Sequence, residues 1–311
     1  MSVMKRMALA LIMTCVSESA VAQEPSWWTS KYGEADTIGA LNNLSPEGVR
    51  KAARLVTSGK VYALGVPTGP ETPAYGNRTY RVERLSSGGS DFTSNGSERV
   101  TAWDERVTTS MGIGTQIDGL AHLGVDHHYY NGTPGSLVAS SYVLDLASIP
   151  AIVTRGVLVD MTKHFGKPML EVGDVYNRRE IEAAMKAQKI KIGKGDVVIF
   201  HTGWLKMAGT DPDTFRSREP GLGAEGAQFL ADLGVVAIGS DTVALEAIPF
   251  ESASRPFLVH QTLLAKNGVH ILETINTAEL AADGVKEFLF VLGAPRMQGT
   301  VQMVINPVAI R

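Results

Sequence analysis

Residues Ser110 to His128 read S-M-G-I-G-T-Q-I-D-G-L-A-H-L-G-V-D-H-H, and the rest of the chain is organised around this stretch. It gathers Gln116, Asp118 and His122 in a Gly-rich, almost uncharged run. If the backbone turns helically after Asp118, then Asp118 and His122, four apart, share a face. If it stays extended, Gln116 and Asp118 share one by the period of two. Either way a carboxylate, an imidazole and an amide oxygen converge. That mixed O/N set suits a borderline divalent ion such as Zn²⁺ or Mn²⁺. His127 and His128 follow at once, so three of the seven histidines fall within this run. The competing reading is structural, because Asp and His beside glycines also satisfy turn backbone as caps and Asx-turns.

Upstream, Ser45-Pro46-Glu47 signals a helix start: a hydroxyl N-cap, a proline in the first turn and an acid at the positive end of the dipole. Val49, Ala52, Ala53 and Val56 give that helix an apolar face, and Gly59 ends it. Val61 to Val66 reads as a strand. Pro67 to Gly96 reads as a long irregular loop whose Tyr75, Tyr80 and Phe92 could line a pocket for an apolar or aromatic substrate. Arg99 to Ser110 alternates as a strand leading into the central run, and Tyr130-Asn131-Gly132 marks a turn after it.

Downstream, Ile152 to Met161 is apolar on both faces, the mark of a strand inside a sheet. Asp174 to Gln188 is a helix with Ile181, Ala184, Met185 and Gln188 at helical spacing. Asp196 to His201 is a strand that ends in a histidine, where α/β sheets place their sites. The G-x-G-x-x-G match from Gly221 to Gly226 is no nucleotide site, since the charged, proline-ended Arg216–Pro220 stretch precedes it where a strand is required. It reads as the entry to a helix from Ala224 to Leu233, with a buried strand from Val235 to Ile238 beyond. No serine stands in G-x-S-x-G, which excludes a nucleophile elbow. His260 falls on a helix closed by Asn267-Gly268, and Glu273 ends the short strand that follows. Taken alone, these two read as a core helix residue and a strand-end acid. Strands and helices alternate after Pro150, behind a half rich in strands and loops, which is an α/β pattern.

The Gly112–His122 segment resembles the signature of the metal-dependent cyclase/hydrolase family, which includes bacterial kynurenine formamidase, isatin hydrolase and trans-dienelactone hydrolase. The common form of that signature is H-x-x-x-H-x-D-x-x-x-H. Its four positions fall here on Gly112, Gln116, Asp118 and His122, so the Asp and the last His match and the first two His do not. The chain is similar instead to a longer branch with G-T-Q-x-D-x-x-x-H-x-G. The resemblance extends to Thr202-Gly203-Trp204, to L-E-T-I at Leu272–Ile275, to E-F-L-F-V-L-G-A-P at Glu287–Pro295 and to Asn306-Pro307. It implies a mixed β-sheet flanked by helices in the swivelling β/β/α cyclase-type fold. It also implies Zn²⁺ or Mn²⁺, as one or two ions, with Gln116, Asp118, His260 and Glu273 as ligands. His122 is then the implied general base; were it a ligand, Glu273 is the next candidate base. His201 is at most a supporting group. Family members are commonly dimers or tetramers, so a homodimer or homotetramer is implied.

Residues 1–22 read as a secretory signal: Lys5 and Arg6, an apolar core from Met7 to Val16, and Ala20-Val21-Ala22 as the cleavage site. The expected mature chain, 23–311, is a single domain, periplasmic or secreted, with no membrane anchor. Cleavage removes Cys15, the only cysteine, and with it any disulfide or thiolate nucleophile. A net charge of −3 without a basic stripe excludes nucleic acid as a partner. The activity these features point to is metal-dependent hydrolysis of a small amide or ester, with a cyclic lactone or lactam as the expected substrate. The alternatives are a periplasmic small-molecule binding protein that has lost the metal, and a metal-dependent dehydratase or isomerase.

Overall fold

The computed structural model describes residues 26–86 and 97–311; the expected leader over 1–22 and Phe92 lie outside the described residues. The strands that matter for the site are β1 (Val61–Ala63), β2 (Tyr80–Ser86), β3 (Trp103–Thr109), β4 (Gln116–Asp118), β5 (Ile152–Asp160), β6 (Val197–His201), β7 (Ala237–Ser240), β8 (His270–Glu273), β9 (Glu287–Leu292), β10 (Gln302–Val304) and β11 (Val308–Ile310). All except β2 and β3 belong to one mixed sheet in the order β1-β11-β9-β5-β6-β7-β8-β4-β10. Its middle, β5 to β8, is parallel. Antiparallel strands extend it on both sides, through β9 at one end and through β4 at the other.

The parallel block is buried on both faces, as its unbroken apolar runs require. Val157, Val159, Val198, Phe200 and Ile238 enter one core cluster. Their neighbours Leu158, Val197, Ile199 and Ala237 enter the other. The first cluster is covered by two helices, Arg178–Gln188 and Ala224–Asp232, through Ile181, Ala184, Ala227 and Leu230. The mixed α/β sheet flanked by helices is therefore present as the sequence implied.

Several boundaries differ, each for a local reason. The first helix, Pro46–Ala53, has its Ser45 cap in place, with the side chain accepting from Gly48 N at 3.0 Å. It stops before Gly59, and Ala52 is the only buried residue of the expected face. The helix expected from Asp174 begins at Arg178, because Val175–Tyr176 is drawn into a parallel pair with Gly221–Leu222. Asn177 then starts it in a capping box with Glu180. Part of the expected loop from Pro67 to Gly96 is strand: β2 pairs with β3 along its whole length as an exposed ribbon. Both faces of that ribbon meet solvent, so β2 carries no in–out alternation that would reveal it.

His270 on β8 is fully buried, and neither ring nitrogen has a hydrogen-bond partner among the described residues. Burial, only partly offset by the Asp118 charge, pushes its pKa down to about 4. The folded value lies below the unfolded one of about 6.5, so the unfolded chain binds the extra proton between these limits. The neutral ring's contribution is therefore complete above about pH 6.5 and is lost as pH falls toward 4. Denaturant unfolding of metal-stripped protein should show wild type losing on the order of 3 kcal/mol relative to His270→Leu as pH falls across that window, because the other titrating groups are common to both. An identical pH profile in wild type and variant would contradict this account.

Candidate metal centre

The site forms where the parallel block gives way to antiparallel pairing. On β4, Gln116 lies opposite Glu273 of β8, and Asp118 lies opposite both Ile271 of β8 and Gln302 of β10. Directly opposed residues and alternate residues share one face of a sheet. The register therefore places Gln116, Asp118, Glu273 and Gln302 on a common face. That face carries Ile271, which packs in the cluster under the helices. His260 enters from above, at the point where the short α-helix Leu258–His260 continues as a π-helix, Gln261–Lys266. Such π segments recur at functional sites. His122 comes from the turn after β4, in which its N–H donates to Gly119 O at 2.9 Å.

All five residues singled out in the sequence meet here. Nε2 of His122 and Nε2 of His260 each lie 3.7 Å from Asp118 Oδ2. His260 Nε2 is also 3.3 Å from Glu273 Oε1. Gln116 turns its amide nitrogen toward the carboxylates, donating to Glu273 Oε2 at 2.5 Å and to Asp118 Oδ1 at 3.2 Å. Gln116, Asp118, His260 and Glu273 are buried, while the His122 side chain keeps 21% of its surface exposed. The remaining histidines of the central run lie elsewhere in their contacts: His128 stacks on Trp28, with ring centroids 4.0 Å apart. The contacts of His201 are with Thr277 Oγ1 at 2.7 Å and with Asp241.

Burial by itself would raise the pKa of Asp118, but His122 and His260 beside it outweigh that effect and hold it at about 2. Burial and the Asp118 charge push Glu273 up to about 7, with His260 opposing. His260 is desolvated too, yet Asp118, Glu246 and Glu273 drive its pKa well above the ordinary value. His122 has only Asp118 to favour its charge, so burial lowers it. The pattern is that of a pocket in which crowded carboxylates favour positive charge.

One atom decides whether a metal fits. Asp118 Oδ2 is buried and accepts no hydrogen bond among the described residues, although Oδ1 is bonded to both glutamines. An ionised oxygen stranded in the interior is costly unless a cation meets it. The donor atoms of Asp118, His122 and His260 lie within 4.8 Å of one another. One carboxylate and two imidazoles are an appropriate donor set for a divalent N/O-binding ion.

Three further residues were not legible as site residues. Glu246 is buried and pairs with His260 Nδ1 at 2.5 Å. A carboxylate can only accept, so Nδ1 carries the proton and Nε2 is left facing Asp118. Gln302 donates to Asp118 Oδ1 at 2.8 Å. Arg78 reaches the site from the segment before β2. None lies in a recognisable motif, and each is delivered by a separate part of the chain. Aromatic side chains flank His260: the Phe257 ring is 5.5 Å away, and Tyr75 and Phe250 pack against Phe257. A cavity of about 540 Å³ between the Val66–Pro73 segment, Leu205 and Phe215 meets this region at Thr274, next to Glu273, but includes none of the five.

The Cyclase family model matches residues 62–247. No curated protein matches the chain. A solved structure described as a novel cyclase is 25% identical over 91% of this chain and 98% of its own, with a TM-score of 0.81. An isatin hydrolase bound to the product analogue thioisatinate is 18% identical, covering 86% of this chain and 98% of its own, with a TM-score of 0.62. Isatin hydrolase A from Ralstonia solanacearum is 16% identical, covering 81% and 92%, with a TM-score of 0.61.

The Glu246–His260 pair generates a direct test. Glu246→Gln can present an NH₂ to Nδ1 and so favours the wrong tautomer. Divalent-ion affinity, measured by competition with a chromogenic chelator, should fall about 10–100-fold, the usual cost of losing a group that orients a ligand. Unchanged affinity would show that Glu246 does not orient His260.

Proposed function

The chain belongs to the cyclase family, and from that premise we propose that it is a metal-dependent hydrolase of a small amide or ester, with a cyclic lactone or lactam as substrate. The observation that carries this reading is the stranded Asp118 Oδ2, faced by two imidazole nitrogens at 3.7 Å. Asp118, His122 and His260 would hold the ion, Zn²⁺ or Mn²⁺. When bound, it supplies Lewis acidity, polarising a carbonyl and lowering the pKa of water from 15.7 toward roughly 7.

The chain's own groups account for the rest. Glu246 holds His260 in the tautomer that presents Nε2. Gln116 offers its nitrogen and so ties Asp118 to Glu273 rather than facing the ion with its oxygen. Glu273, lifted toward 7 by burial and the Asp118 charge, is poised to take a proton from the attacking water and return it to the leaving nitrogen or oxygen. This exchanges the roles read from the sequence, where His122 was the base and Glu273 a ligand. What supports the exchange is that His122 Nε2 points at the unpaired oxygen while Glu273 already has Gln116 and His260 as partners. The aromatic rings of Tyr75, Phe250 and Phe257 beside His260 favour a flat or ring-bearing substrate.

The two assignments separate cleanly by experiment. His122→Ala should lose the ion, whereas Glu273→Gln should keep it and lower kcat by about 10²–10⁴. Metal content by plasma mass spectrometry, with turnover on a panel of lactones and lactams, reads both. Full metal occupancy in His122→Ala, or unimpaired turnover in Glu273→Gln, would return the base to His122. A wild-type protein that takes up no divalent ion would remove the hydrolase reading.

A further inference from the structure

Gly112 stands where the common family signature has a histidine, and the space beside it is not empty. A Cβ built on Gly112 would lie 2.7 Å from the Arg78 guanidinium carbon and 2.8 Å from both amide atoms of Gln302. These are closer than real Cβ contacts, so the absence of a side chain at 112 is what lets Arg78 in. Gln302 is committed, its nitrogen donating to Asp118 Oδ1. Two of the site's carboxylates are also committed, Glu246 to His260, and Glu273 to Gln116 and His260. Arg78, partly buried, makes no hydrogen bond or ion pair among the described residues. Its guanidinium carbon and the Gln302 amide crowd the same point beside Gly112, and Gln302 is bonded to Asp118.

A guanidinium is a rigid fork of five donors suited to planar two-oxygen acceptors. None of its nitrogens is sealed from solvent, so the fork is open to an acceptor that enters the site. Resting on the hydrolase reading above, we propose that Arg78 recognises a carboxylate carried by the substrate, close to the bond that is cleaved. The substrate class is thereby narrowed from any small amide or ester to an anionic one. Gly112 acts as the space-maker, and Gln302 fixes the wall against which the guanidinium lies.

The test uses metal-loaded protein and a pair of isosteric probes, benzoate and benzamide, whose binding is measured by calorimetric titration. Wild type should prefer benzoate by at least about tenfold, the scale of a charge-assisted bidentate contact. Arg78→Gln should keep its metal and its melting temperature and lose that preference. Arg78→Lys should retain part of it. Gly112→Ala, which leaves Arg78 in the chain but displaces it with a methyl group, should lose it as well. A benzoate preference that survives in Arg78→Gln would mean that the ion alone attracts the anion. That result would overturn the role of Arg78 and leave the hydrolase intact. Equal binding of the two probes by wild type would overturn it too. Failure of wild type to hold metal would overturn both readings.

Discussion

The structure turns on an ionised oxygen that receives no hydrogen bond among the described residues. Asp118 Oδ2 is buried and has no hydrogen-bond donor among the described residues. Placing a carboxylate in such a position costs several kcal/mol even after relaxation. Here three buried carboxylates, Asp118, Glu246 and Glu273, are crowded around one imidazole. The arrangement is tolerable only because the neighbours are fixed so closely. Two glutamines hold the other Asp118 oxygen, Glu246 is capped by His260 Nδ1, and His122 and His260 lie beside Asp118. Much of the local architecture is explicable as support for that one unpaired atom.

The sheet supplies the support through its change of direction. The parallel strands β5 to β8 form a block packed between two apolar clusters, and the antiparallel β4 is added at its edge. β4 is only three residues long, yet it is pinned on both sides, by β8 and by β10. A slip of one residue would turn Gln116 and Asp118 away from His260 and toward the opposite core. The apolar Ile117, buried in that opposite core, guards the register from the other side. Stability and chemistry are thus set by the same constraint: Ile117 must point one way for its neighbours to point the other.

Arg78 and Gly112 show how a site can be changed without changing its frame. Glycine at 112 leaves a volume in the central motif, and a guanidinium from the segment before β2 lies against it. A guanidinium placed there adds a positive charge beside the candidate site while leaving the donors around Asp118 in place. Tyr75, which packs against Phe257 beside His260, arrives on the segment that also carries Arg78.

Parts of this protein were already decided by the order of its residues. Apolar runs on both faces determined the buried strands around Val157 and Val198, because a strand with no polar face has nowhere to go except inside a sheet. Period two determined that Gln116 and Asp118 point the same way, and Ser45 determined where the first helix starts. The exposed ribbon of β2 and β3 was illegible because neither of its faces is buried, so no alternation distinguishes it from loop. Glu246, Gln302 and Arg78 were illegible for another reason: in sequence they are an acid, an amide and a base in unremarkable surroundings. Likewise, nothing local to Glu273 announces that its pKa lies near 7, since that value comes from burial and from an Asp118 charge carried by a distant strand. Burial, register and long-range charge are properties of the assembled sheet. For that reason the tertiary structure alone decided which oxygen was left unpaired and which side chains surround it.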